Sequence, residues 1–308
     1  MPPFLLSSYI TRYLAEKQVQ NKKSSWIANC RLGRWKQSHM SPTKKQTGEV
    51  SRARRPWLKD CCYHVSQQCV RNAKLLKFAY GRDRFIHRLR EMSRKYPVKV
   101  LNYLVGTQGY RLLLAAPDPA TLSAPIAYLN GTTAREYCTR KGWEGSVWKG
   151  KFNVTLIQTQ AQALRCSLDM DFAMLREQPE DLFHPLLWKH SGHLELTEVR
   201  KRYRLINRKA LRRWFMDVPW IDFREWYIQA SNGKWNAHEY AEEDWWDRAL
   251  IVGERAVCEK VANSIPESFR SLCAYPPLTS VPTLENDFSW SVISAPSYKR
   301  TYILSSKP

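Results

Sequence analysis

Two apolar runs, residues 98–105 and 110–116, are separated only by Gly106-Thr107-Gln108-Gly109. Runs of this length, rich in valine, leucine and tyrosine and joined by a glycine-bearing tetrapeptide, predict a β-hairpin. A hairpin is not stable alone in water, so its neighbours must supply further strands and a covering layer. Residues 83–96 place Phe85, Leu89 and Met92 on one helix face, and Pro97 ends that helix. Leu122, Ile126, Leu129 and Thr133 mark a second helix ending near Gly142, and Leu164, Leu168, Phe172 and Leu175 mark a third. Residues 61–68 and 152–158 read as strands. The order strand, helix, hairpin, helix, strand, helix predicts an α+β fold, an antiparallel sheet of four to five strands with helices packed on it.

Charge narrows the partner. Lys and Arg number 49 against 28 Asp and Glu, a net charge of +21 with a pI near 9.8, which favours a polyanion and above all nucleic acid. No run approaches the roughly 18 apolar residues of a membrane-spanning helix. Phe4-Leu5-Leu6 is too short for the apolar core of a signal peptide, so a cytoplasmic protein with no membrane partner is expected. The first 55 residues hold only Glu16 and Glu49 as acids, and residues 1–56 read as a basic, poorly ordered arm. Pro- and Ser-rich residues 266–308 read as a loose tail.

The eight cysteines form no CxxC pair and are expected to be buried thiols. Cys61, Cys62 and His64 make a poor metal set, because adjacent strand residues point to opposite faces. His184, His190 and His193, around Pro185 and Gly192, read as surface-loop histidines.

Several local segments occur in one order and at one spacing: Tyr63-His64-Val65, Gly81-Arg82-Asp83-Arg84-Phe85, Gly109-Tyr110-Arg111-Leu112-Leu113-Leu114, Tyr128-Leu129-Asn130-Gly131 and Ser146-Val147-Trp148-Lys149-Gly150-Lys151-Phe152. Together they resemble the REP-associated tyrosine transposases, a branch of the HUH single-strand transposases, over roughly residues 57–191. The resemblance begins after Met40, which makes Met40 a second candidate start. It also extends to residues 242–261, through Trp246-Asp247-Arg248-Ala249-Leu250-Ile251-Val252-Gly253, which resemble a helix near the end of longer members. The family implies a ferredoxin-like, transposase-type domain at 57–178, followed by a basic, Trp-rich helical extension at 179–265.

The family's chemistry uses a His-hydrophobic-His pair to hold Mg or Mn and a tyrosine on the last helix, with a polar residue four positions later, to attack a DNA phosphate. The matching positions here are Gly109 and Arg111 for the histidines, Asp169 for the nucleophile and Ala173 for its partner. All four depart, so no catalytic residue, metal site or cofactor is expected. Tyr110 takes the hydrophobic middle position and should face away from that site. Arg111 in the former metal position would contact a phosphate without cutting it.

Lys149 and Lys151 add to a basic surface. Arg200, Arg204, Arg208 and Arg212, flanked by Lys201, Lys209 and Arg213, recur every four residues and predict one helix with a cationic stripe. The tryptophans from Trp214 to Trp246 read as core rather than base-stacking platforms. The resemblance implies DNA, single-stranded or hairpin-tipped, as partner, and a homodimer as assembly. The expected function is DNA binding by a transposase relative that has lost cleavage. The alternatives are an RNA-binding protein on the same sheet layout and an active transposase with a relocated nucleophile.

Overall fold

Strand β1 (Cys62–Gln68) runs between β3 (Gly109–Ala115) and β4 (Asn153–Ile157), antiparallel to both, and β2 (Lys99–Val105) completes the hairpin with β3. This computed structural model describes residues 62–117, 120–177, 184–199, 203–215, 220–236, 243, 245–264, 267 and 272–275. The arm expected at 1–56 and most of the tail expected at 266–308 lie outside them. Helices α1 (Ala79–Lys95), α2 (Ser123–Lys141) and α3 (Gln160–Glu177) form where the hydrophobic spacing placed them. Among the described residues no helix is long and apolar enough to cross a membrane.

Residues opposite each other in the ladders share a face. His64, Ser66, Arg111, Leu113, Asn153 and Thr155 lie on one, and Tyr63, Val65, Tyr110, Leu112 and Val154 on the other. Helices α1 and α2 cover the second face. There Phe85 stacks 4.7 Å from Tyr110, whose hydroxyl donates to Asn130 Oδ1 at 2.8 Å. Tyr110 therefore faces away from Arg111, as the alternation of a strand requires.

Helix α3 covers the first face and is buried along its whole middle, from Gln162 to Leu175, including Arg165, Ser167, Asp169 and Asp171. The spacing predicts one apolar stripe; a second layer buries the rest. That layer comprises α4 (His193–Leu196), α5 (Arg208–Phe215) and α6 (Trp220–Asn236). Its attachment is polar. Asn102 Nδ2 donates to Ser167 Oγ at 2.8 Å and to Asp171 Oδ1 at 3.1 Å. The Tyr227 hydroxyl donates to Asp171 Oδ2 at 2.6 Å, and His193 Nδ1 bonds the same oxygen at 2.7 Å. Strand β2, helix α3 and two of the three covering helices, α4 and α6, thus meet at one carboxylate.

The sheet has six strands in the order β2-β3-β1-β4-β5-β6, beyond the four to five expected. Residues 242–261, expected as a helix, are instead α7 (Trp245–Arg248), β5 (Ile251–Val252) and α8 (Arg255–Ser264), with β6 (Cys273–Ala274) after them. Ile251 and Val252 are fully buried and pair in parallel with Leu156 and Ile157. The helical expectation rests on the resemblance alone, and a two-residue strand leaves no alternation to read. At the opposite margin the outer side of β2 is covered. Val105 N donates to His190 O at 2.9 Å, and Gly192 N and Asn207 N donate to the carbonyls of Tyr103 and Val100.

The three histidines expected on surface loops are buried, at 5%, 1% and 1% exposure for His184, His190 and His193. His190 accepts from Arg82 Nε at 3.1 Å and meets Asp83 Oδ1 at 3.0 Å. Burial pushes both His184 and His190 down from 6.5 to about 4; the nearby His193 adds to the shift at His184, and the Asp83 hydrogen bond opposes it at His190. Folding therefore selects the neutral rings. Their contribution is complete above pH 6.5, falls as pH drops toward 4 at up to about 1.4 kcal/mol per unit for each ring, and levels off below. Thermal melts should show a loss of stability across that window that is shallower in a His184→Asn/His190→Gln double variant.

Candidate functional site

An open cleft of about 570 Å³ lies on the α3 side of the sheet, over β1 and β3. Arg111, Lys149, Lys151 and Arg176 line it, with Asp247 and Glu177 as its acids and Ala173 in its wall. Three of the residues expected to bind DNA, Arg111, Lys149 and Lys151, are thus brought together. Arg111 arrives by strand alternation, opposite Ser66 in the ladder. The two lysines arrive by a turn clamped to the end of β1. Gln67 Nε2 donates to the carbonyls of Lys149 and Gly150 at 3.2 Å, Lys149 N donates to Gln68 O at 2.8 Å, and Gly150 takes φ 66°. Lys149 and Lys151 are exposed, with no carboxylate partner among the described residues.

Arg111 Nη2 meets Asp247 Oδ2 at 3.1 Å. Burial works to raise the Asp247 carboxyl, but His64 and Arg111 beside it, with hydrogen bonds from Ser66 and Arg111, outweigh burial and hold it below its ordinary value. His64, at 1% exposure, is pushed down by burial despite Asp247; its Nδ1 bonds Trp246 O at 2.9 Å. Arg111 is the cation among these neighbours that both pairs with Asp247 and lines the cleft beside it. Sequence reasoning missed Asp247, which lies 136 positions from Arg111 with no local pattern joining them.

The four positions matching the family's catalytic set do not fit its chemistry. Gly109 offers no side chain, and Arg111 is a cation that offers no lone pair to a divalent metal. Among the described residues no group of three or more His, Cys, Asp or Glu is placed to hold a metal ion. Asp169 is buried and held by Arg176, Nη1 to Oδ1 at 2.9 Å and Nη2 to Oδ2 at 3.2 Å, a two-pronged pair that occupies both carboxylate oxygens. Ala173 is apolar, and the Tyr110 hydroxyl, raised by burial, sits on the opposite face.

Gly109 also fixes the geometry. A Cβ added there would lie 2.4 Å from the backbone carbonyl oxygen of Gln67, a contact no side-chain motion relieves. Placing histidine at this position therefore forces β1 and β3 apart. Gly109→His should destabilise the fold by about 1–3 kcal/mol or more, read as a lowered melting temperature, and should not create a metal site.

The second basic feature differs from its expectation. Residues 203–207 are not helical, so no single helix carries Arg204, Arg208 and Arg212 as a stripe; Arg200 and Lys201 lie outside the described residues. The Glu195 carboxylate accepts the backbone N–H groups of Leu205 and Ile206 at 2.9 and 3.0 Å, which takes those donors from any helix. Asn207 Oδ1 then caps α5 by accepting from Ala210 N at 2.9 Å. Arg208 pairs with Glu198 and lies 3.9 Å over the Trp220 ring. Lys209, Arg212 and Arg213 are exposed on α5, and Arg204 is exposed ahead of it. Trp226 and Trp246 are buried, and Trp214, Trp220 and Trp245 pack against the core.

No family model matches the chain. No curated protein matches it either. Among solved structures, a REP-associated tyrosine transposase bound to a REP hairpin aligns with 51% of this chain and 91% of its own, at 14% identity and a TM-score of 0.40. A candidate transposase from Deinococcus radiodurans R1 aligns with 40% of this chain and 93% of its own, at 19% identity and a TM-score of 0.28.

Proposed function

We propose that this chain binds single-stranded or hairpin-tipped DNA in the cleft over β1 and β3 and does not cut it. One observation carries this reading. Arg111, Lys149 and Lys151 converge on an open cleft in which the position matching a nucleophile is a buried, two-pronged Asp169–Arg176 pair. Cations suited to holding a phosphate line the cleft, and the position matching the nucleophile is already engaged in an ion pair. The ordered sequence segments that resemble the tyrosine transposases support DNA as the nucleic acid, and the net charge of +21 supports a polyanion of either kind. A cytoplasmic location and a homodimer belong to the same proposal.

The reading is tested by titrating purified protein into a labelled DNA hairpin with a single-stranded flank, over a series of salt concentrations, with the matching RNA hairpin as competitor. DNA binding with a steep salt dependence, unchanged by EDTA, is expected. Preferential binding of the RNA hairpin would turn the reading to an RNA-binding protein, and weak binding indifferent to salt would remove nucleic acid altogether.

A further inference from the structure

The cations of helix α1 are not treated alike. On the side facing α2, Arg84 bonds Glu136 at 2.5 Å, Arg88 bonds Glu91 at 2.7 Å and Glu136 at 3.2 Å, and His87 meets Glu91 at 3.2 Å. On the side facing β2, Arg90 and Arg94 line a second concavity of about 250 Å³ together with Lys99 and Arg204, with Ser93 and Asn207 beside them. No carboxylate lines this concavity. Arg90 is oriented by its stacking 3.9 Å over the Tyr203 ring. Arg94, Lys99 and Arg204 are exposed and have no carboxylate partner among the described residues. Four cations drawn from α1, β2 and the segment before α5 repel one another, and among the described residues no carboxylate lining the concavity offsets that cost. A bound polyanion removes it.

We infer that this concavity is a second phosphate-binding site, which grips the backbone of the same nucleic acid that occupies the cleft. The inference rests on the proposed nucleic-acid function. The two sites open beside opposite ends of β2: Lys99 and Val100 line one, and Leu104 and Gly106 line the other. At roughly 3.3 Å per strand residue they stand about 15–20 Å apart. About five steps of a nucleic-acid strand, at roughly 3.4 Å per step, cover that distance. A free phosphate or a lipid headgroup would use one site only; a nucleic acid is the polyanion that uses both.

The test compares three proteins on the labelled DNA hairpin with its flank: the full chain, an edge variant (Arg94→Gln, Lys99→Gln, Arg204→Gln) and a cleft variant (Arg111→Gln, Lys149→Gln, Lys151→Gln). The three edge residues are exposed, so the melting temperature should stay unchanged and report intact folding. Loss of three phosphate contacts should lower the slope of log affinity against log salt by about 2–3 and weaken binding about 30- to 100-fold at physiological salt. Combining the two sets should add their losses, because the sites are separate.

An edge variant with the slope and affinity of the full chain, beside a cleft variant that loses both, would overturn this inference and leave the proposed function standing. Failure of the full chain to bind DNA would remove both. Binding to phosphatidylserine vesicles or to inorganic phosphate that the edge variant abolishes, with DNA affinity untouched, would also overturn it.

Discussion

Replacing Arg111, Lys149 and Lys151 together with glutamine is expected to weaken binding to a DNA hairpin at least about a hundredfold at physiological salt. Each phosphate contact made by a charged side chain is worth about 1–2 kcal/mol, and a tenfold loss corresponds to about 1.4 kcal/mol. The three residues act at one place, in the same cleft. Arg111 has a further effect, because its guanidinium meets Asp247 at 3.1 Å inside that cleft. Removing it leaves the Asp247 carboxylate facing the incoming phosphates, so the single Arg111→Gln change should cost more than either lysine change. Asp247→Asn should act in the opposite direction and raise affinity, which fluorescence anisotropy on the same hairpin would read.

The largest effect on stability is expected at Asp171, not in the cleft. Its two oxygens take hydrogen bonds from Asn102, His193 and Tyr227, at 3.1, 2.7 and 2.6 Å, with the carboxylate 2% exposed. Asp171→Leu enlarges the buried side chain and takes an acceptor from His193, Tyr227 and Asn102, of which the last two keep only Ser167. Breaking such a buried centre costs about 3–5 kcal/mol, a large share of the roughly 5–15 kcal/mol that holds a typical domain together. For a chain of this size that lowers the melting temperature by roughly 10 °C. Asp171→Asn retains an oxygen acceptor and should cost less than half as much. Equal melting temperatures for the leucine variant and the parent would show that the covering helices are held by apolar contact alone.

The sheet core was legible because its signals are local. Phe85, Leu89 and Met92 repeat at helical spacing and all three are buried. The hairpin and the pairing of strands around it follow from alternation and a short connection. What escaped were features made by residues far apart in the chain. Residues 251–252 become a strand only because β4 offers an open edge. The row of arginines from Arg200 has a helical period, yet the Glu195 carboxylate captures the backbone of Leu205 and Ile206 and delays the helix to Arg208. His184, His190 and His193 are polar residues near Pro and Gly, a pattern of loops, but His193 is buried against Asp171 of α3 and His190 against Arg82 and Asp83 of α1.

The candidate site divides in the same way. Arg111, Lys149 and Lys151 stand in segments that resemble the transposase family and meet in one cleft, whereas Asp247 was hidden by distance in sequence. The Asp169–Arg176 pair left a readable trace that was overlooked: seven residues is two helical turns, so the two side chains share a face.

The most direct test of binding without cleavage is a single reaction of the purified chain with an end-labelled DNA hairpin and Mg or Mn, divided between a native and a denaturing gel. A retarded band on the native gel, with full-length DNA and no protein-linked band on the denaturing gel, is the predicted result. A nicked product or a covalent adduct would contradict the account and direct attention to a nucleophile outside the cleft.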